Sequence, residues 1–483
     1  MGHRLDEVED NRYLVRRLNW AGLGVVDVKG KSRCVPVTQV GEQVRVRWHE
    51  GPWGRTIGER VDDPYEAEDL LDRLGCKEGL RCSGCTLRHL SEQERQNTQM
   101  ESHLGAIRRL SGRALDEVEL QWVGAVEREG YRERISVQFS DFTQGGDTLW
   151  KPSLRARWGS PVALEDCPNH PPELRSLSRA VSQWTSTYAS KLGLPIEEET
   201  TATLAKISVQ GGHHLPPWVT LHLEDPRNAN GISSEDRSAR LASLHQTLTQ
   251  LPLDELFTSL LDLSDEISLF GDASLRDQHR SALGIQSLRG APSSLWSCPS
   301  GLSFSVQPPA WLPQSPSTLP LLRSAVFESL WGDGVEPRGA LFELGCGVGL
   351  ISLAALQRSP ELSLIGVDLE PMSALCAERS AELNGLAARA RFLGMDGRRA
   401  LAEQTPAPRS MIVHAMRRPL SGLLPLAAER GVSRICYLAP SAPALGRDLA
   451  EEPRYQLEQL AFLDQMPGTA QLMTIARLTL RPS

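Results

Sequence analysis

The chain has 483 residues, 40% of them apolar and 23% charged, with a formal net charge of −8. That length suits two to four domains with sizeable cores, and the acidic balance excludes binding of nucleic acid by bulk attraction while leaving room for local basic surfaces. No run of about 18 uninterrupted apolar residues exists, which reads against a membrane span, the polar start Met1–Asp10 reads against a secretory signal, and nine unevenly spaced cysteines read as reduced thiols in a cytoplasm.

Residues 12–62 read as all-β. Arg12–Leu18 and Gly41–Trp48 alternate apolar with basic residues, and Gly22, Gly24, Gly30 and Gly41 punctuate them at turn positions. About five short strands suit a small OB-like barrel, a common platform for single-stranded nucleic acid. Residues 1–60 carry eleven Lys/Arg against eight Asp/Glu, a mild excess that also fits an ordinary barrel with solvated arginines.

Helices are expected at 66–75 and 91–112, the second opening on Ser91-Glu-Gln-Glu94 with its acidic first turn. Between them Cys76, Cys82 and Cys85 form a C-x5-C-x2-C loop, and Cys167 follows far downstream in Glu165-Asp-Cys167-Pro-Asn-His170. Short cysteine spacings closed by a remote fourth thiolate are what a soft-metal site needs; iron–sulfur and structural zinc fit four thiolates equally well by chemistry alone. Strands follow at Tyr131–Phe139 and Leu154–Trp158, then a helix at 172–194. Residues 197–300 mix strands, helices and polar loops without a chemical motif. Pro308, Pro309, Pro313, Pro316 and Pro320 then make a rigid connection.

From 322 onward strands and helices alternate: helix Leu322–Trp331, strand Gly339–Leu344, helix Leu350–Gln357, strand Leu362–Asp368, helix Pro371–Asn384, then strands at 390–393, 411–414 and 434–438. This predicts a doubly wound parallel sheet. Gly345-x-Gly347-x-Gly349 lies between a buried strand and a helix, where glycine permits a tight turn and close approach to a ligand. Glu343 precedes that turn, Asp368 ends the second strand where it can accept from both ribose hydroxyls, and Asp396 follows the third strand. The loop suits a dinucleotide or S-adenosylmethionine, and Glu343-Leu-Gly-Cys-Gly347 is more typical of the latter; a retained scaffold with an empty pocket carries the same residues.

These residues resemble the RNA uracil-5 methyltransferase family in its bacterial iron–sulfur type. The likeness is collinear: Leu18-Asn-Trp-Ala-Gly-Leu-Gly24 with Val35-Pro36 and Gly41-Glu42, the three-cysteine loop with His89, Gly130-Tyr-Arg-Glu-Arg-Ile135, Cys167-Pro168, and Leu383-Asn-Gly-Leu386. The resemblance implies a multidomain α/β chain: a TRAM/OB-like RNA-binding barrel at 10–65, a central iron–sulfur α+β domain at 66–305, and a doubly wound class I methyltransferase domain at 306–483. It implies a [4Fe–4S] cluster on Cys76, Cys82, Cys85 and Cys167 that organises an RNA surface rather than radical chemistry. It places S-adenosylmethionine among Glu343, Gly345, Gly347, Gly349, Asp368 and Asp396, the last at the adenine amine. It further implies a ribosomal or transfer RNA partner, a monomer, no membrane association and a cytoplasmic location.

The same resemblance exposes departures. In the family a Cys thiolate attacks C6 of a flipped uridine, which makes C5 nucleophilic, and a carboxylate then removes the C5 proton. With Arg447-Asp448 in register, the nucleophile's position holds Pro440; Cys436 lies inside a predicted strand as a core thiol, and Ser441 has no visible base. In Asp464-Gln-Met-Pro467-Gly-Thr469-Ala-Gln471-Leu-Met473, Met473 stands where the acid belongs. The fourth-strand Asp-Pro-Pro-Arg reads His414-Ala-Met-Arg417, and Ala310-Trp-Leu-Pro-Gln314 offers no clear counterpart of the family's cofactor-contacting glutamine. A histidine at a strand end is more often structural than catalytic. No catalytic residue is therefore assigned. The expectation is an RNA-binding pseudoenzyme; the alternatives are an active S-adenosylmethionine-dependent RNA methyltransferase using a different target atom, one that needs no covalent activation, or an unrecognised nucleophile, and a methyltransferase acting on something other than RNA.

Overall fold

The computed structural model describes residues 12–481 apart from 20, 51–55, 62–69, 71, 145–146, 155, 158–159, 197–199, 201, 228–232, 276–284, 299, 311, 333–337 and 416. Of the helix expected at 66–75, residues 66–69 and 71 lie outside them while Leu70 and residues 72–74 are helical; Trp158, Trp311 and Met416 also lie outside.

Six strands near the N-terminus, β1 (Arg12–Leu14), β2 (Arg17–Leu18), β3 (Gly24–Val28), β4 (Lys31–Val35), β5 (Gln43–Glu50) and β6 (Thr56–Arg60), form one sheet in the order β1-β5-β6-β4-β3-β2. The alternation seen in sequence puts Val44 and Val46 inward with Val15, Val26 and Val35, against Leu87 and Leu90 of the segment after the cysteine loop. Arg12–Leu18 makes two strands rather than one because the chain changes partner midway, β1 pairing with β5 and β2 with β3.

Strand β7 (Glu119–Ala125) comes next in the chain and joins a different layer. Strands β8 (Arg134–Gln144), β9 (Asp147–Leu154), β10 (Val162–Ala163), β11 (Thr203–Gln210), β12 (Trp218–Asp225), β13 (Ser268–Leu275) and β14 (Gln286–Arg289) make a sheet in the order β10-β9-β8-β11-β12-β13-β14. Helices Pro172–Thr187 and Leu253–Leu261 cover one face, burying Leu174, Leu177, Val181 and Leu256 against Ile135, Val137, Ile207 and Leu221. Much of this sheet comes from 197–300, the stretch without a motif. The strand expected at Leu154–Trp158 ends instead at Leu154, because the chain then leaves β9 to bridge Cys82 at Ala156.

After a two-stranded pair, β15 (Ser294–Ser297) and β16 (Ser303–Val306), come β17 (Gly339–Leu344), β18 (Leu362–Asp368), β19 (Ala390–Gly394), β20 (Ser410–His414), β21 (Arg434–Ala439), β22 (Tyr455–Asp464) and β23 (Met473–Leu480). Their order is β19-β18-β17-β20-β21-β23-β22-β7, with β23 antiparallel to both neighbours and the other pairings parallel. The order reverses between β17 and β20, the switch point at which doubly wound sheets open a crevice. The edge strand β7 lies far upstream of residue 306. Helix Glu92–Ser111 also belongs to this layer, since its Ala106 and Ile107 share a core with Phe342 and Leu445. That helix starts in a Ser91/Glu94 capping box and stops at Gly112 with φ of 68°. Residues 92–125, which the sequence put in the central segment, thus complete the C-terminal sheet. Among the described residues no helix is long and apolar enough to cross a membrane.

Candidate functional site

The carboxyl ends of β17, β18, β20 and β21 open on a cavity of about 750 Å³ lined by Gly345, Asp368, Asp396, His414, Pro440 and Met473, among others. The half proposed for the cofactor rests on backbone. Gly345, Gly347 and Gly349 have φ of +77°, +56° and +88°, a region open to glycine at little cost. A side chain on Gly345 would also meet His414, whose Cβ would lie 3.0 Å from the added Cβ. Asp368 accepts Gly347 N–H at Oδ2 (2.9 Å) and Glu370 N–H at Oδ1 (2.8 Å). Both bonds fix the carboxylate, and each oxygen keeps lone-pair capacity for a ligand. Asp396 caps helix Gly397–Glu403, its Oδ1 accepting from Arg398 N (3.1 Å) and Arg399 N (3.0 Å).

Of the six residues proposed for the cofactor, Gly345, Asp368 and Asp396 line the cavity, while Gly347 and Gly349 shape the loop behind it. Glu343 does neither. It is fully buried, its Oε1 lies 2.9 Å from His414 Nε2, and its Oε2 is buried without a hydrogen-bond partner. Sequence reasoning took His414 for a lone histidine and missed this pairing. The signal was diagonal: Glu343 is registered opposite Ile412, and His414 is two residues further along the same face. Reading it requires knowing that β17 and β20 are neighbours.

The half proposed for the target carries Pro440, Met473, Gln314, Arg417 and Gln471, with Arg417 Nη2 donating to Gln471 Oε1 at 3.2 Å. Cysteine is absent from the lining described. Cys436 lies fully buried within β21, where burial pushes its thiol up to about 12. Ser441 starts helix Ala442–Glu451 without making a side-chain cap.

The residues flanking these positions are structural. Asp448 accepts from Tyr437 Oη and, at 2.9 Å, from Leu420 N, while burial raises its carboxyl. Asp464 is fully buried, accepting from Arg95 Nε at 3.2 Å and Met466 N at 3.1 Å. Burial holds its carboxyl above the usual range despite Arg95. Pro467 O accepts from Tyr131 Oη at 3.1 Å, Gly468 O from Leu87 N at 2.9 Å, and Thr469 O from Gln99 Nε2 at 3.0 Å. The loop that leads into Met473 is thereby tied to the segment just after the cysteines.

The four thiols of Cys76, Cys82, Cys85 and Cys167 are half-buried and free. They lie within electrostatic reach of one another. Burial first, and then the neighbouring thiols, raise Cys85 and Cys76, and Cys167 is pushed up to about 12 in the same way. Asn169 donates to Cys85 Sγ at 3.2 Å and accepts from Arg88 Nη1 at 2.6 Å. Buried Arg157 donates to the carbonyls of Gly79 (3.1 Å), Leu80 (2.9 Å) and Cys85 (3.0 Å), which holds the loop's shape. Among the described residues no group of three or more His, Cys, Asp or Glu is gathered tightly enough to hold a metal ion as placed. The donor set nevertheless has the softness that an iron–sulfur or zinc group requires.

Comparison with known proteins agrees with this architecture. The Methyltransferase small domain family matches residues 331–406. The chain is 24% identical over 473 residues to the 23S rRNA (uracil(1939)-C(5))-methyltransferase RlmD of Pseudomonas aeruginosa (strain UCBPP-PA14), covering 96% of this chain and 93% of that one. It is 30% identical over 138 residues to the 23S rRNA (uracil(747)-C(5))-methyltransferase RlmC of Escherichia coli (strain SMS-3-5 / SECEC), covering 28% and 35%. The crystal structure of the Pyrococcus abyssi tRNA (uracil-54, C5)-methyltransferase with S-adenosyl-L-homocysteine superposes with a TM-score of 0.60 at 18% identity, covering 97% of this chain and 100% of that one. With a doubly wound sheet, a glycine turn at its switch point and near full-length similarity to such enzymes, the chain resembles the RNA uracil-C5-methyltransferase family.

Proposed function

We propose that this protein binds RNA and S-adenosylmethionine but does not methylate uridine C5 by the covalent route. One observation carries the reading: the target half of the cavity presents Pro440 and Met473 and is lined by no cysteine among the described residues. Neither side chain can attack C6 or accept the C5 proton, and without an adduct C5 is too weak a nucleophile. Incubating the purified chain with methyl-labelled S-adenosylmethionine and total RNA, then separating nucleosides, should give no 5-methyluridine; its appearance would overturn the proposal.

The cofactor side supports retained binding. Asp368 would hold the ribose hydroxyls, Asp396 the adenine amine, and the Gly345–Gly349 turn the amino-acid end. Bound there, S-adenosylmethionine would supply an electrophilic methyl group. The N-terminal sheet fits an OB-like, TRAM-type RNA platform within 10–65, ahead of the central segment 66–305 and the methyltransferase segment 306–483. Cys76, Cys82, Cys85 and Cys167 would hold a [4Fe–4S] cluster with a structural role. A brown protein with about four irons per chain is expected; zinc without iron would refute the cluster. The RNA is ribosomal or transfer RNA by analogy with the relatives, and a cytoplasmic monomer is the matching state.

A second reading, methyl transfer to another atom of RNA, is favoured by a specific feature: the cofactor half is intact and a paired histidine stands beside it.

A further inference from the structure

The strands bordering the cavity run in the order β18, β17, β20, β21, β23. Their ends carry, in turn, Asp368, the Gly345 turn, His414, Pro440 and Met473. His414 therefore sits midway between the cofactor half and the target half. It lines the cavity, and it packs against Gly345.

Its ring is oriented from behind. Glu343, fully buried, accepts the Nε2–H at 2.9 Å, and its other oxygen is buried with no partner. A carboxylate held there fixes the tautomer, leaving Nδ1 with a lone pair and no proton. A buried carboxylate also stabilises the imidazolium that forms once Nδ1 takes a proton, the arrangement that serves a general base in unrelated folds. The other ionisable groups on the cavity wall are Asp368, Glu370, Asp396, Arg398 and Arg417. Asp368 and Asp396 are held by backbone N–H groups, Glu370 caps the next helix, and the two arginines are cations. His414 is the one imidazole in this set.

We propose that His414, positioned by Glu343, is the general base for methylation of a nitrogen or oxygen atom that carries a proton in the substrate RNA. The inference rests on the second reading above. S-Adenosylmethionine, when bound, offers its sulfonium methyl: the heteroatom's lone pair forms the new bond to that carbon, the S–CH3 pair returns to sulfur, and the heteroatom's proton passes to His414 Nδ1. Such a target needs no thiolate adduct, which accounts for a pocket where proline and methionine have displaced the nucleophile and the acid. Glu343 is a positioning residue in this scheme.

The test uses the full-length protein, total RNA and labelled S-adenosylmethionine, with nucleoside analysis to tell N-methylated from O-methylated products. Wild type is expected to place label on a nitrogen or a ribose oxygen. His414→Ala should lower the rate by about 10²–10⁴-fold with S-adenosylhomocysteine affinity within twofold by calorimetry, and added imidazole should restore part of the rate. Glu343→Gln should lower kcat about tenfold or more with little change in KM, since it removes the charge that favours the imidazolium. A readout independent of turnover is carbethoxylation by diethyl pyrocarbonate mapped by peptide mass spectrometry. His414 should react in the free protein and be protected at least fivefold by S-adenosylhomocysteine. Absence of label in every nucleoside from wild type would sink the underlying transferase reading and this proposal together. Label that persists in His414→Ala, or an inert His414 in the free protein, would sink the base alone and leave transfer standing.

Discussion

The two halves of the cavity share one sheet but are built on different physical grounds. The cofactor half is made of backbone geometry and carboxylates locked by backbone N–H groups: three glycines with positive φ, Asp368 and Asp396. The target half is made of side chains alone, Pro440, Met473, Gln471 and Arg417, on a wall anchored elsewhere. A group that also supports its own loop is costly to replace. A group that only faces the ligand can change while the fold stays intact. Arg447-Asp448 and Asp464–Thr469 persist in frame because Asp448, Asp464, Pro467, Gly468 and Thr469 each hold backbone or a buried partner. The side chains of Pro440 and Met473 carry no donor or charge with which to make such a bond.

The sharpest way to break this contrast is to remove the acid of the cofactor half. Asp368→Ala should weaken S-adenosylhomocysteine binding by at least about 100-fold, because two charge-assisted hydrogen bonds at about 1.5–3 kcal/mol each would go. Isothermal calorimetry measures it directly. An affinity within tenfold of wild type would show that Asp368 is not the ribose acid.

Next in size is the anchor of the target wall. Arg95→Ala leaves the Asp464 carboxylate, 0% exposed, without its cation. Breaking one side of a buried pair costs about 3–5 kcal/mol, so the denaturant midpoint should fall accordingly. Replacing both residues, with Arg95→Met and Asp464→Asn, should recover part of the loss. If the single variant is as stable as wild type, Asp464 does not hold the loop into β23 in the way the geometry indicates.

An acid titration separates the halves in another way. His103, on the helix behind β23, is buried with Nδ1 3.1 Å from Thr474 Oγ1, and burial lowers its pKa to about 4 from the ordinary 6.5. The unfolded chain therefore binds a proton that the folded one refuses. This contribution is fully present above pH 6.5 and is lost as pH falls toward 4, at a cost of about 3 kcal/mol. His103→Gln should flatten the melting temperature between pH 6.5 and 4 compared with wild type. Equal slopes for both proteins would assign the acid sensitivity to other groups.

Much of the C-terminal layer was legible from sequence for a related reason. Strand Leu362–Asp368 spans the residues that the sequence predicts, and helix 92–111 starts at the capping box that Ser91 and Glu94 spell out. These are local signals, carried by residues a few positions apart. What sequence did not yield is long-range. The bond from Arg95 to Asp464 spans 369 positions. The pairing of Glu343 with His414 needs the strand order, and β7 joins a sheet whose other strands begin at Gly339. The stretch 197–300 carries no chemistry-bearing motif, so its role as half of the central sheet is visible only once β11 to β13 pair.

The smallest expected effect is the most discriminating for the contrast between the halves. Met473 begins β23, opposite Leu463, and is only partly buried against the core. Met473→Ala removes methylenes worth about 0.8 kcal/mol each when fully buried, so a stability loss of about 1 kcal/mol is expected from its partial burial. Cofactor affinity should stay within about twofold, because the carboxylates and glycines that would hold the cofactor lie on β17, β18 and the end of β19, across His414 from this side chain. A tenfold loss of S-adenosylhomocysteine affinity in Met473→Ala would mean that the two halves are coupled through the cavity, and that the target wall is shaped by the cofactor rather than independent of it.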